Sequence, residues 1–478
     1  MNKGIPKGRS DGGYREVLRV AFPLIVSMGS FTLMQFCDRM FLAWYSAVSI
    51  QAALPAGILS FTLLSGFMAL AGYAGNFVAQ YHGAGDRLGC SRSTAQGVYL
   101  SLLAWPLLFL LIPVGTRVLH LSGHAPGVLK EELTYFTILM MGGITVPLGA
   151  AISGFFTGRG DTMTNMLATL ATNLVNLVLD YLMIFGKGGF PEMGIAGAAW
   201  ATVISGFVSP AILLALYFSG KIDDEFETRS HFYIDFRLLW RIVRFGLPSA
   251  VHLVLDVGSF TFFVLITGRM GTANLMASNI AFSINNVAFM PLLGLSVAAS
   301  ILVGQYQGRR WGEIAEKAGW TSLKLGWMYM AVIGTTFLLF PEQYFSLFTS
   351  SGKVSVDLAE VLPVGRRLLL LMAAWGLLDA INIILSGALK GAGDTRFVMV
   401  YSVVMGWVLW IGGEVLLVFV FKAGLVSAWL WMAVFVAIMA SGFLLRYRSG
   451  AWKKIEMLER ETPLSATRPM AEAFTVVE

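Results

Sequence analysis

Five acidic side chains stand inside otherwise apolar stretches: Asp38, Asp180, Asp256, Asp379 and Glu414. A charged group at the centre of a membrane span costs a few kcal/mol even on lenient insertion scales, so each is a candidate for function. Asn176 and Asp180 are spaced i and i+4, which on a helix places both on one face. Thr202, in the following stretch GIAGAAWAT, adds a hydroxyl, and the small residues around it let neighbouring helices approach closely. Together Asp38, Asn176, Asp180 and Thr202 would make an oxygen-rich pocket. Oxygen ligands suit a hard cation, and the same carboxylates hold a proton when no metal binds. A hydrogen-bonded network that only ties helices together fits the same spacing, so at this level both readings stand.

Asp256 and Asp379 fall on later spans, where they could form a second cation or drug site or be hydrogen-bonded structurally. Glu414, in GGEVLLVF, has no obvious partner in the sequence. Arg39 follows Asp38 directly and points about 100° away around the helix. It is therefore free to snorkel or to serve a carboxylate on another helix. His252, one turn before Asp256, reads as a polar helix contact. Asp161 and Asp394 each sit in a Gly-x-Gly-Asp-Thr turn and read as helix caps. Met28, Met34, Phe36, Phe289 and Met290 are candidates for lining a cavity, since methionine adapts to varied ligands. The chain has no GxxxxGK[ST] loop, no HExxH and no His/Cys cluster, and Cys37 and Cys90 give neither a disulfide framework nor a zinc spacing. No catalytic residues and no cofactor are expected, and the energy source would be an ion gradient.

The elements that must hold these residues follow from composition. Of 478 residues, 56% are hydrophobic and 13% charged, about half the charge of a soluble domain. Lipid must be the solvent for much of the surface, and the 52 glycines suit packed membrane helices. Windows of about 20 apolar residues predict spans near 19–43, 54–80, 95–114, 133–157, 163–185 and 195–218, then 245–268, 279–304, 318–340, 368–388, 397–420 and 424–445. The expected division is an N-terminal segment 1–18, a first lobe 19–220, a charged linker 221–244, a second lobe 245–445 and a polar, partly disordered tail 446–478. An even span count puts both termini on one side. That side holds 25 of the 34 Lys and Arg, against eight on the other, with Arg39 inside the first helix. By the positive-inside rule both termini are cytoplasmic. The net charge of +6 is spread over short loops, so no nucleic-acid partner is expected.

The two halves repeat each other. Val78-Ala-Gln-Tyr-His-Gly83 matches Val303-Gly-Gln-Tyr-Gln-Gly308 at an offset of 225, and Pro23 matches Pro248 at the same offset. Ser153-Gly-Phe-Phe-Thr-Gly-Arg-Gly-Asp-Thr162 matches Ser386-Gly-Ala-Leu-Lys-Gly-Ala-Gly-Asp-Thr395 at 233. Six helices per half make this a parallel repeat about an axis normal to the membrane, an architecture that transporters use to place the substrate path between halves. The fold class expected is all-α, with twelve transmembrane helices in two six-helix lobes.

From about residue 14 to 446 the chain resembles the multidrug and toxic compound extrusion (MATE) transporters of prokaryotes. The resemblance lies in Asp38, the loop GAGDR, the run GRGDTMTNMLATLATNLVNLVLDY with GIAGAAWAT, and MPLLGLSVAASILVGQYQG with SGALKGAGDTRF. It implies a V of two lobes around a central cavity, and export coupled to inward Na⁺ or H⁺. It also implies a first-lobe cation site at Asp38, Asn176, Asp180, Thr202 and the backbone carbonyl of Ala198, which holds Na⁺ if Na⁺ is the coupling ion. A second-lobe acidic pair used by other members aligns with Asp256, where glutamate is usual, and Asp379. Trp375 stands in place of a tyrosine that some relatives use nearby, and Arg39 is unusual beside the first-helix aspartate.

The function expected is therefore secondary antiport of amphipathic, often cationic, drug-like compounds against Na⁺ or H⁺ by alternating access. The protein would be a monomer in a prokaryotic inner membrane, with the lipid bilayer and small substrates as its partners. The rival readings are a flippase for lipid-linked oligosaccharides from the same superfamily, and a membrane-embedded lipid enzyme. The mainly acidic intramembrane charges favour cationic cargo over pyrophosphate.

Overall fold

The computed structural model describes residues 12–267, 272–349, 358–422 and 424–458. Among them are twelve helices long and apolar enough to cross a membrane. They are α1 (Tyr14–Tyr45), α2 (Ala47–Ala84), α3 (Arg87–Leu121), α4 (Pro126–Gly158), α5 (Thr162–Phe185), α6 (Ile195–Tyr217), α7 (Phe236–Phe263), α8 (Ile280–Gly308), α9 (Gly312–Leu339), α10 (Leu362–Gly391), α11 (Thr395–Val420) and α12 (Leu425–Arg448). Each corresponds to a predicted span. Many ends run further than predicted, because amphipathic end turns carry charge that a hydropathy window rejects. Helix α7 shows this best. Asp235 accepts the backbone N–H groups of Arg237 and Leu238, both at 3.1 Å, and starts the helix nine residues early. Leu238 and Ile242 then bury their side chains in the first lobe. The expected linker 221–244 accordingly shrinks to a short helix, Gly220–Phe226, and the turn after it. In that turn Asp223 accepts the Arg229 backbone N–H at 2.9 Å, which holds its carboxyl below the usual carboxylate range.

Four spans are interrupted within the described residues, α6 among them at Phe207. Helix α4 is interrupted between Met141 and Thr145, at the pair Gly142-Gly143. A side chain at Gly142 would collide with Val203 of α6. Helix α2 breaks at Tyr73, and α11 carries π-helical stretches at Met405–Ile411 and Leu416–Val420 on either side of Glu414. Such π-turns recur at functional sites.

The lobes meet at the end of the bundle that bears Gly12 and Leu458, and the duplicated motifs are what meet there. Gln80 Nε2 donates to the carbonyl of Gly391 at 3.0 Å, and its counterpart Gln305 donates to the carbonyl of Gly158 at 2.8 Å. The accepting glycines, 158 and 391, are themselves equivalent under the 233-residue offset. A Cβ on Gly83 would run into the carbonyl of Gln305, and one on Gly308 into the carbonyl of Gln80. Two backbones therefore cross at a distance only glycine permits. Ser300 Oγ adds a bond to Asn76 Oδ1 at 3.0 Å.

The first half of α1 belongs to the second lobe's core. Val17, Val20, Ala21 and Leu24 are buried with Leu292, Ala298 and Leu302 of α8. Glu16 accepts from the Tyr306 hydroxyl at 2.7 and 2.9 Å, and Thr321 Oγ1 donates to the Gly12 carbonyl at 2.8 Å. Further along, contact is lost. A Cβ on Gly29 would meet open space, and Leu33, Phe36 and, on α8, Val287 are 63%, 64% and 64% exposed. The lobes thus form a V, closed at the terminal end and open at the other.

The segment after α12 departs from the expected polar tail. Trp452 and Met457 are fully buried. Met457 Sδ lies 3.0 Å from Gln80 Nε2, Gln307 Nε2 donates to the Lys453 carbonyl at 2.8 Å, and Lys453 pairs with Glu316. This strap is held because Trp452 stacks on Tyr447 and fills a core position. The rest of the tail, 459–478, lies outside the described residues.

The glycine crossing yields a prediction. Overpacking of this kind costs about 1–3 kcal/mol, so Gly83→Val or Gly308→Val should depopulate the closed terminal end by roughly tenfold or more. Spin-label distances between α2 and α8 near that end should lengthen in each variant, and unchanged distances would contradict the assignment.

Candidate cation site

Helix α5 builds the site. Asp161 caps it as expected, accepting the Thr164 N–H at 3.3 Å and the Thr164 hydroxyl at 2.8 Å. Its buried face then carries a ladder of polar groups: Asn165, Asn173, Asn176 and Asp180. Every rung that faces a neighbour is used. Ser153 Oγ donates to Asn165 Oδ1 at 2.5 Å, and Asn173 Nδ2 donates to Ser30 Oγ of α1 at 2.8 Å. One turn further, the Asn176 amide donates to Asp38 Oδ1 at 3.0 Å and to Asp180 Oδ2 at 3.2 Å. The two carboxyls also lie within hydrogen-bonding range of each other.

Asp180 is fully buried and its Oδ1 has no hydrogen-bond partner among the described residues, whereas Asp38 is half-buried. Two carboxylates cannot both stay ionised at this separation in a low-dielectric site without a cation or proton between them. The chemistry the cluster can do is therefore to take up one positive charge and release it. Ala198 and Thr202 sit on α6, whose small residues allow Gly197 to pack on the backbone of Met183 in α5. The Thr202 hydroxyl donates to the Ala198 carbonyl at 3.0 Å, so in this state that carbonyl is already occupied. Tyr135 of α4 faces Thr202 and lies within electrostatic range of Asp38 and Asp180. It lies about two turns before the glycine break of α4, on the stretch packed against α6, and no sequence pattern singled it out. Arg39 is exposed and within electrostatic range of Asp38, but on an adjoining face.

The second lobe gathers a different set. Asp256 is exposed and Asp379 half-buried, and the two lie within electrostatic range of each other. Lys390, in the last turn of α10, places Nζ 3.3 Å from His252 Nδ1 and attracts Asp256. The cluster thus contains a cation of its own.

Comparison with known proteins agrees with this architecture. A family model described as MatE matches residues 23–182 and 248–413, one match in each lobe. The chain belongs to the MatE family. It is 28% identical over 469 residues to the probable multidrug resistance protein NorM of Thermotoga maritima, covering 96% of this chain and 97% of that one. It is 27% identical over 398 residues to the multidrug resistance protein MdtK of Yersinia pestis, covering 83% and 85%. Among solved structures it superposes on a MOP-superfamily transporter from Pyrococcus furiosus with a TM-score of 0.84 at 21% identity, over 95% of this chain and all of that one. An outward-facing multidrug resistance MATE transporter gives 0.82 at 22%, with the same coverage.

Within this MatE chain the remaining candidates separate. Trp375 is buried and stacks on Trp429 at 5.5 Å and 17°, as part of the second lobe's aromatic core. Glu414 is fully buried with neither oxygen hydrogen-bonded among the described residues, and Trp410 one turn earlier has an equally unpartnered Nε1. Asp394 begins α11 but makes no side-chain cap. It pairs instead with Arg446 of α12 at 2.7 and 3.3 Å, because that guanidinium reaches the turn and is the stronger donor.

Asn176 separates two acids, and its loss should be felt in stability. Asn176→Ala leaves buried carboxyl oxygens unbonded, at a cost of about 1–3 kcal/mol. The melting temperature in detergent should fall by several degrees, whereas Asp180→Asn, which removes one buried acid, should leave it level or raise it.

Proposed function

We propose that this MatE-family protein is a secondary exporter of amphipathic, mainly cationic small compounds, driven by inward Na⁺ or H⁺. The observation that carries the reading is the first-lobe cluster of Asp38, Asn176 and Asp180, one partly open acid and one sealed acid bridged by a single amide. NorM and MdtK are multidrug resistance proteins by name, which supports drug-like cargo and a transport role over catalysis. The Lys and Arg asymmetry supports cytoplasmic termini, and the reading takes the protein as a monomer in an inner membrane. On that orientation the V opens outward.

In this state Asp38 is the acid an external cation meets first. A proton or Na⁺ taken up there and shared with Asp180 removes the repulsion between the acids and tightens α1 against α5. Helix α1 also forms part of the second lobe's core through Val17 to Leu24. A change in its position at Asp38 is thereby transmitted to both lobes. The ion shifts the equilibrium only by its differential affinity for the two states. One charge moving through 100 mV supplies about 2.3 kcal/mol, enough to bias two conformations roughly fifty-fold. Cargo leaves the widened cleft as the cation binds, and the cation is released once the other end opens.

Reconstituted liposomes loaded with a fluorescent cationic dye test this, with Na⁺ and pH gradients imposed separately. Efflux driven by one gradient is expected, falling at least tenfold in Asp38→Asn and in Asp180→Asn. Full gradient-driven efflux in Asp38→Asn would sink the assignment.

A further inference from the structure

Among the described residues Lys390 is the cationic side chain seated beside the second lobe's acids, whereas the cation near the first lobe's cluster, Arg39, is exposed on an adjoining face. Asp379 and Lys390 are eleven residues apart on α10, close to three turns, so they share a face. His252 and Asp256 share a face of α7 at i and i+4. The two faces meet where Lys390 Nζ approaches His252 Nδ1 at 3.3 Å. An ammonium has no lone pair, so the imidazole nitrogen is the acceptor. His252 is then neutral, with its proton on Nε2.

Asp256 is too far from Lys390 for a contact ion pair but within electrostatic range. It lines a small cavity of about 10 Å³ with His252, Ser259, Ser402, Gly406 and Trp407, room for about one water. Trp407 Nε1 donates to the Leu255 carbonyl at 3.2 Å, which holds the indole beside the acid. A carboxylate next to an indole is the chemistry that holds an organic ammonium. The built-in ammonium already attracts that carboxylate.

We propose that Lys390 is a specificity-determining residue, a built-in positive charge against which cationic cargo must bind Asp256. It sets a threshold. A compound with one charge and little apolar surface is held off by that ammonium, whereas an amphipathic cation offsets the repulsion through contact with the indole and the lobe wall. Lys390 also sits where the lobes meet, since Tyr73 Oη donates to its carbonyl at 2.8 Å and Gln80 Nε2 to that of Gly391. The inference rests on the export reading only in taking cationic compounds as cargo.

The test is equilibrium binding of tetraphenylphosphonium to the purified full-length protein. Lys390→Met and Lys390→Gln should each bind it roughly tenfold more tightly than wild type, the scale of one unit charge acting over several ångströms in a partly hydrated site. Lys390→Arg should stay within about threefold of wild type, and Asp256→Asn alone should weaken binding. The gain should vanish when Lys390→Met is combined with Asp256→Asn, and binding of the neutral dye Nile red should not change. Equal affinity in wild type and both neutral variants overturns the inference and leaves export standing. So does a gain that persists without Asp256. If neither wild type nor the variants bind the cation, the inference and the cationic-cargo reading fall together.

Discussion

Two carboxyl groups held against one carboxamide, with lipid outside and no other charge sealed in with them, constrain the whole first lobe. Water would make the arrangement trivial. Away from water the pair is stable only when it holds one positive charge between its oxygens or stands open enough to be hydrated. Much of the surrounding structure serves that requirement. The α5 ladder fixes Asn176, the small residues of α6 bring Thr202 near, and α4 sets Tyr135 against Thr202. The cluster is therefore a two-state object, and α1 is the element that carries its state elsewhere. Beyond Gly29, α1 stands clear of the second lobe and holds Asp38; before it, the helix is packed as though native to that lobe.

The halves keep a common scaffold and differ in electrostatics. Both have the proline in the first helix, the glutamine of the crossing and the Gly-x-Gly-Asp-Thr turn. The first lobe sets an amide between a half-buried and a buried acid and leaves the nearby Arg39 exposed. The second places acids beside a lysine and a histidine and surrounds them with tryptophan. Duplication supplied the geometry, and the charges diverged on it.

The twelve spans, the duplication and the first-lobe acids were legible in the sequence, because lipid penalises charge so heavily that each exception is visible. Other features were hidden for identifiable reasons. Lys390 looked like a loop residue, since apolarity fades near 388 while the helix continues to Gly391. The early turns of α7 were set aside because their arginines lowered the local hydropathy, although Leu238 and Ile242 face inward. Met457 is one apolar residue in a charged tail, and its burial depends on Trp452 finding Tyr447. Tyr135 belongs to no motif at all; only the packing of α4 against α6 brings it to the site. Asp394 showed the opposite error, where a local cap pattern lost to a stronger long-range partner, Arg446.

The reciprocity of the crossing has a consequence for how such a chain can arise. Gln80 of one half bonds near Gly391 of the other, and Gln305 bonds near Gly158 in return. A contact in which each surface performs the same role for its mate is isologous, the kind made by identical subunits about a two-fold axis. A single six-helix unit bearing this motif would be self-complementary and could pair with a copy of itself before any gene fusion. The covalent link between halves adds no new interface. It removes the requirement that both partners be identical, and thereby allows one face of the dimer to keep its acids bare while the other acquires a lysine.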